Sequence, residues 1–188
     1  MDLSQAIQTR HSTRKFSTKI PDWRDIIECV DVARYAPMAG NNFSLKFIIV
    51  KDKETIQKIA EASQQAFITQ AHYVVVACTI SSRTLNLYEE FGRKFLKQQA
   101  GSAIQNFLLK IQEKGLSTCW IGYFAENIIK ILLKIPDEVE VEAMFPIGYE
   151  SKAKGTKPSL KKKIDINNIL YFEKYGNKKM RKMPEMNV

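Results

Sequence analysis

The hydrophobic positions of this chain fall into continuous apolar runs and into helix-spaced stripes, and the two kinds alternate along the sequence. The apolar runs predict strands at residues 47–50, 73–80, 117–121 and 143–147. The run at 73–80 is rich in valine and apolar on both faces, which is typical of a strand covered on both sides. We expect the strand at 47–50 to be buried as well.

Helix-spaced stripes separate these strands. A short helix is predicted at residues 3–9, and a stronger one begins at Pro21 and ends before Pro37. Further helices are predicted at 53–70 and 126–133. The apolar stripe of the helix after Pro21 should consist of Ile26, Ile27, Val30 and Ala33.

The longest predicted helix covers residues 87–114 and ends at Gly115. Its apolar seam consists of Leu96, Ala100, Ala103, Phe107 and Ile111. A helix this apolar in a small domain is typical of a dimer interface. The order of elements predicts an α/β (α+β) fold in which helices flank a mixed central sheet.

Composition indicates a folded protein with one core, since 45% of its 188 residues are hydrophobic and 10% are aromatic. Neither an apolar run of membrane-spanning length nor a signal-peptide pattern occurs, so we expect a cytoplasmic protein with no membrane partner. Cys29, Cys78 and Cys119 lack metal-site spacing, which indicates reduced thiols and no metal centre.

The net charge of +9 is concentrated near the C-terminus. Residues 151–188 hold eleven Lys and Arg against three Asp and Glu, a net charge of +8, which leaves about +1 for residues 1–150. We predict a single domain over residues 1–170 and a basic tail over 171–188. The lysines of the tail have little aromatic interleaving and no nucleic-acid motif, so we do not expect a nucleic-acid partner.

Familiar catalytic side-chain motifs are missing from the sequence. It contains no nucleophile elbow, phosphate-binding P-loop, dinucleotide fingerprint, HExxH or CxxC, and its histidines are His11 and His72 alone. A chain with candidate binding segments but without catalytic side chains indicates a cofactor that performs the chemistry itself.

The segment 10–14 is the most informative candidate for binding such a cofactor. In an extended segment, residues two apart face the same way, so Arg10, Ser12 and Arg14 would point at one object. Two guanidinium groups and a hydroxyl suit an anion that is planar or phosphorylated. His11 would face away from them.

Three more segments are candidates, each with a structural alternative. Gly40 and Asn41 suit a ring edge of mixed donors and acceptors, or form an ordinary turn. The segment 115–122 places a glycine, Gly122, next to the indole of Trp120 at the end of a short strand, which suits a binding site. Alternatively, Trp120 fills the core beside a turn. The lysines at 161–163 bind an anion, or belong to a solvated tail.

Together these segments resemble the FMN-dependent nitroreductase family over roughly residues 6–169. The resemblance rests on the order and spacing of five motifs, at residues 10–14, 36–41, 103–109, 115–122 and 147–149. It implies a homodimer of mixed α/β fold with two FMN sites at the subunit interface.

The resemblance also implies which residues bind the phosphate of FMN. Arg10 and Ser12 match the phosphate-binding positions of the family. Lys161 and Lys163 match a late basic pair that closes on the same phosphate.

For the flavin ring, the resemblance implies contacts with its polar edge. Arg14 would lie by N1 and O2, Asn41 would hydrogen-bond the pyrimidine side, and the backbone around Ile121 and Gly122 would face N5 and O4. No protein acid or base is then required.

The implied activity is a ping-pong oxidoreduction. NADH or NADPH delivers hydride to flavin N5, and a small-molecule acceptor such as a nitroaromatic or quinone takes the electrons. Two alternatives remain open: other chemistry on the same fold, such as enone reduction, dehalogenation or flavin fragmentation, and an FMN-binding protein without turnover.

Overall fold

A four-stranded sheet is the framework of the fold in the computed structural model, which describes residues 1–151 and 164–180. The named strands pair antiparallel in the order β1-β2-β4-β3. A parallel bridge between Ser12 and Thr118 adds the N-terminal segment beside β3, which confirms a mixed sheet. The strands are β1 (Leu45–Val50), β2 (Tyr73–Ile80), β3 (Ser117–Thr118) and β4 (Val139–Gly148).

Five α-helices are described, and aspartate side chains cap three of them. Asp2, Asp22 and Asp52 each accept a hydrogen bond from a backbone N–H of the first turn, which satisfies a donor that the helix leaves free. The helices are α1 (Leu3–Thr9), α2 (Trp23–Asp31), α3 (Lys53–Ala62), α4 (Ser82–Glu113) and α5 (Glu126–Leu133), and 3₁₀ turns lie at Val32–Tyr35, Ala39–Asn41 and Ala66–Gln70. None of the described helices is long and apolar enough to cross a membrane.

The core consists of two layers, one on each face of the sheet. On one face, α2 and α4 cover Val75, Phe145 and Ile147. On the other face, α3 and α5 cover Val74 and Val76. This arrangement confirms the predicted layers of helices around the sheet, and the whole predicted seam of α4 is buried.

Two burial predictions were wrong. Ile27 is 46% exposed, and Cys29 takes the buried position on α2, because the inward stripe turns toward residues 26, 29 and 33. The strand at 47–50 is not fully buried either. It belongs to β1, which lies at the edge of the sheet, so Phe47 and Ile48 are half-buried and Ile49 is exposed.

Several predicted boundaries also differ, among them the starts of β1 and β4, which begin at Leu45 and Val139 rather than at residues 47 and 143. The helix predicted at 53–70 is broken, because Gln64 adopts φ 53 and a 3₁₀ turn follows. The long helix begins earlier, at Ser82, with a non-helical residue at Glu89. The strand predicted at 117–121 ends at Thr118.

The chain divides into two compact units, residues 1–151 and 152–188. The described part of the second unit contains a 3₁₀ turn at Ile166–Asn168, which Asp165 caps by accepting from the N–H of Asn167. The boundary between domain and tail at residue 170 stays a prediction.

The glycine that ends α4 provides a test of this fold. Gly115 has φ +68, in the left-handed region where a Cβ is strained. We expect Gly115→Ala to lower the free energy of unfolding by about 1 kcal/mol in urea denaturation. Gly115→Asn should lose less, because asparagine tolerates this conformation better. Wild-type stability of the alanine variant would contradict the assigned conformation.

Candidate functional site

The segment 10–14 is attached to the sheet by backbone hydrogen bonds. Ser12 and Thr118 form the parallel bridge, and the N–H of Thr13 donates to the carbonyl of Thr118 at 2.9 Å. On its other side, Thr118 pairs with Ile147 of β4. The segment therefore lies directly beside β3, which leads into the second candidate segment.

The side chains of this segment alternate as an extended strand requires. Thr13 is buried, and His11 faces Glu150, with Nε2 at 2.9 Å from Oε1 of that carboxylate. Arg10, Ser12 and Arg14 occupy the other set of positions. Within residues 1–151 and 164–180, no side-chain hydrogen bond or ion pair engages these three residues. Their donors are thus available to an anion.

A buried hydroxyl without a partner lies next to this segment. Among the described residues, Thr118 Oγ1 is the buried side-chain polar atom that has no hydrogen bond. Ser12 and Thr118 are opposite each other in the ladder, so their side chains project from the same face of the sheet. An unpaired buried hydroxyl disfavours folding. Its place beside Ser12 and two uncommitted guanidinium groups fits a site for a polar, phosphorylated ligand.

The loop after β3 presents the N–H of Gly122 as a free backbone donor. Ile121 uses both of its backbone groups on Met144, with N···O distances of 2.9 and 3.0 Å. In the described part of the chain, nothing accepts the N–H of Gly122. Of the two residues expected to face a flavin through their backbone, Gly122 is therefore the one with an available N–H.

Trp120 stands beside this donor. Its ring packs edge-on against Phe145, with centroids 5.6 Å apart, yet 42% of the residue is exposed. Indole Nε1 lies 3.6 Å from the position that a Cβ on Gly122 would take. Trp120 therefore does not simply fill the core, and its pyrrole edge lies close to Gly122.

Within one chain, the turn of Asn41 and segment 10–14 contact different parts of α4. Asn41 is exposed, and the N–H of Ala39 in the same turn donates to Gln99 of α4 at 3.1 Å. The N-terminal segment contacts α4 through Gln112, which donates to Thr9. Gln99 and Gln112 are thirteen positions apart, or about 20 Å along the helix axis. These contacts bring segment 10–14 to Thr118, four residues before Gly122, but not to Asn41.

Cys29 and Cys78 do not supply a protein nucleophile, and the other candidate residues lie apart from segment 10–14 or outside the described residues. Burial raises the pKa of Cys29 to about 12 and that of Cys78 to about 11, so both thiols are neutral at physiological pH. His72 contacts the carbonyl of Thr18 through Nε2 at 3.1 Å. No group of three metal-ligating side chains occurs in the described ranges. Lys161 and Lys163 lie outside the described residues.

Comparisons with known proteins agree on one family. The model of the Nitroreductase family matches residues 7–68 and 63–149. A candidate NADH dehydrogenase/NAD(P)H nitroreductase of Methanothermobacter thermautotrophicus is 30% identical over 84% of this chain and 82% of its own length. The FMN reductase (NADPH) of Bacillus subtilis is 23% identical over 89% and 73%. The iodotyrosine deiodinase of Thermotoga neapolitana is 24% identical over 79% and 89%.

Solved structures support the same fold. A nitroreductase family protein from Clostridium novyi matches with a TM-score of 0.73 at 29% identity, over 94% of this chain and 96% of that one. An FMN-dependent nitroreductase from Clostridium difficile R20291 matches with a TM-score of 0.75 at 21% identity, over 92% and 99%.

The unpaired hydroxyl of Thr118 makes a testable prediction. Thr118→Val keeps the shape and removes the unsatisfied group, so we expect the ligand-free protein to gain about 1 kcal/mol in free energy of unfolding. Thr118→Ser keeps the hydroxyl and is the matched control. Denaturant titrations of both variants measure the difference. A valine variant less stable than wild type would mean that the hydroxyl has a partner.

Proposed function

Since the chain belongs to the nitroreductase family of oxidoreductases, we propose that it binds FMN and transfers electrons from NADH or NADPH to a small-molecule acceptor. The observation that carries this proposal is the bond from Thr13 to Thr118, which places Arg10, Ser12 and Arg14 beside the strand that leads to Gly122. Anion-binding side chains and a free backbone donor thereby belong to one local structure. These are the groups that a phosphorylated flavin requires.

Arg10 and Ser12 hold the phosphate in this proposal. A guanidinium forms paired, charge-assisted hydrogen bonds to phosphate oxygens, and the hydroxyl adds a neutral donor. Because neither side chain has another partner among the described residues, binding requires no internal ion pair to break. The family resemblance assigns Lys161 and Lys163 to the same phosphate, and that assignment stays a prediction.

Arg14 and Gly122 act on the polar edge of the ring. Bound FMN would supply the hydride and electron-transfer chemistry between a reduced nicotinamide and the acceptor. Arg14 stabilises negative charge at the N1 and O2 edge. The N–H of Gly122 orients the edge that carries N5 and O4, while Ile121 supports it through its bonds to Met144.

We propose that two copies of the chain complete each site. Asn41 contacts α4 about 20 Å along the helix from the contact of the N-terminal segment, so one chain does not gather every candidate residue. A homodimer with FMN at the interface unites Asn41 of one subunit with Arg10, Ser12 and Arg14 of the other.

The free thiols Cys29, Cys78 and Cys119 support a reducing, cytoplasmic location.

Nitroaromatics and quinones are the proposed acceptors. Reductive dehalogenation is the second candidate, favoured by the similarity to the iodotyrosine deiodinase of Thermotoga neapolitana. The two candidates share the cofactor and its site but differ in what leaves the acceptor, because only dehalogenation releases a halide ion.

An absorbance spectrum followed by anaerobic titration tests the proposal. We expect the protein, purified or reconstituted with FMN, to absorb in the flavin region, to bleach with NADH or NADPH, and to recover its colour on addition of a nitroaromatic or quinone. Recovery with a halogenated phenol and halide release would instead favour dehalogenation. Binding without bleaching would indicate a passive FMN carrier, and failure to bind FMN would contradict the proposal.

Arg14 should affect the affinity for the flavin or the rate of its reduction. Loss of a charge-assisted hydrogen bond should weaken FMN binding or slow its reduction about tenfold in Arg14→Ala. Flavin fluorescence measures the affinity, and stopped-flow absorbance measures the reduction rate. Arg24→Ala is the matched control, because Arg24 is an exposed arginine that packs over Trp23 on α2. Equal behaviour of the two variants would refute the role of Arg14.

A further inference from the structure

A buried glutamine interrupts the apolar seam of α4. Gln99 is only 4% exposed and lies three residues after Leu96 and four before Ala103, both of which are buried. A buried amide is unfavourable unless its donors and acceptor are paired. Gln99 pairs both ends of its amide with the turn that carries Asn41.

The two hydrogen bonds of Gln99 close this turn at its base. Oε1 accepts from the N–H of Ala39 at 3.1 Å, where the turn begins. Nε2 donates to the hydroxyl of Ser44, which is itself buried and directly precedes β1. One side chain therefore fixes the distance between the entry and the exit of residues 39–44.

Two more contacts press the turn against α4. The side-chain amide of Asn42 donates to Thr84 Oγ1, a fully buried hydroxyl, at 3.1 Å. Gly40, with φ +58, is packed so close to Tyr88 that a Cβ would come within 2.9 Å of the phenol oxygen. The backbone on both sides of Asn41 is thus fixed.

Asn41 itself is left presented to the outside. It has φ +52, its N–H donates to the carbonyl of Met38 at 3.1 Å, and it is exposed. No hydrogen bond engages its side-chain amide within the described ranges. The fixed backbone gives the side chain a defined point of attachment, so only its own χ angles remain to be ordered when the amide meets a rigid polar ring edge.

We infer that Gln99 is a positioning residue for flavin recognition. It holds the turn at residues 39–44 so that the amide of Asn41 meets the pyrimidine edge of the bound flavin. The inference rests on the proposed function and extends it to a residue that acts only through Asn41. Glutamine suits this task because one amide supplies both the acceptor for Ala39 and the donor for Ser44.

A double-mutant cycle on FMN affinity tests the inference. Gln99→Met keeps the length of the side chain and removes both hydrogen bonds, and Asn41→Ala removes the amide that Gln99 positions. We expect each single variant to weaken FMN binding about tenfold, and the double variant to be no weaker than either single one. Titration of the ligand-free proteins, followed by flavin fluorescence, gives the four dissociation constants.

Two further variants separate positioning from general stability. Gln98→Met changes the exposed neighbour on α4 and should leave FMN affinity unchanged. Ser44→Ala removes one of the two bonds and should weaken FMN binding about threefold, again without adding to Asn41→Ala. If Gln99→Met does not fold, Ser44→Ala is used in its place in the cycle with Asn41→Ala.

The outcomes distinguish this inference from the function on which it rests. If the unaltered protein binds FMN while the effects of Gln99→Met and Asn41→Ala multiply, Gln99 acts on something other than Asn41 and the inference is wrong. A lower melting temperature of Gln99→Met with wild-type FMN affinity would overturn it equally. No FMN binding by the unaltered protein would overturn the proposed function together with the inference.

Discussion

The candidate site depends on a ladder of backbone hydrogen bonds that continues the sheet beyond its named strands. β4 pairs with β3, and Thr118 of β3 pairs in turn with Ser12 and Thr13. This ladder fixes the register of the N-terminal segment. Register decides which side chains face the protein, because a shift of one residue exchanges the two faces. The same hydrogen bonds that bury Thr13 therefore leave Arg10, Ser12 and Arg14 available to a ligand.

The buried polar side chains differ in whether they have hydrogen-bond partners and in where those partners lie. Glu142 is well supported, since Thr79 donates to its carboxylate at 2.6 Å and Lys97 at 2.9 Å. Gln99 is likewise paired, but its partners belong to an irregular turn rather than to the core. Thr118 has no partner among the described residues. The two polar groups with no evident role in the core thus lie at the two segments that we assign to the flavin.

A site of this kind explains how a protein can be an oxidoreductase without an evident acid, base or nucleophile. Its side chains need only bind a cofactor and stabilise charge on it. Positive charge, the free N–H of Gly122 and the side-chain amide of Asn41 meet these needs. In such a site the protein's choice of acceptor is separate from its chemistry, and the similar proteins carry names as different as an FMN reductase and an iodotyrosine deiodinase.

The sequence by itself determined the order and type of the main elements, because periodicity and local caps depend on neighbouring residues. It predicted α1, β2 and α5 at their observed bounds, the seam of α4 and the family. It did not determine that β1 lies at an edge, that Ile27 faces outward, or that Gln64 breaks a helix. Those features depend on which surfaces meet in the folded chain. Sequence motifs also named Arg10, Ser12, Arg14 and Asn41 as candidates. Only the tertiary structure showed that the N–H of Ile121 donates to Met144 and that the hydroxyl of Thr118 has no partner among the described residues. It also showed that Gln99 holds the turn of Asn41 by hydrogen bonds. Each of these facts depends on residues that are distant along the chain.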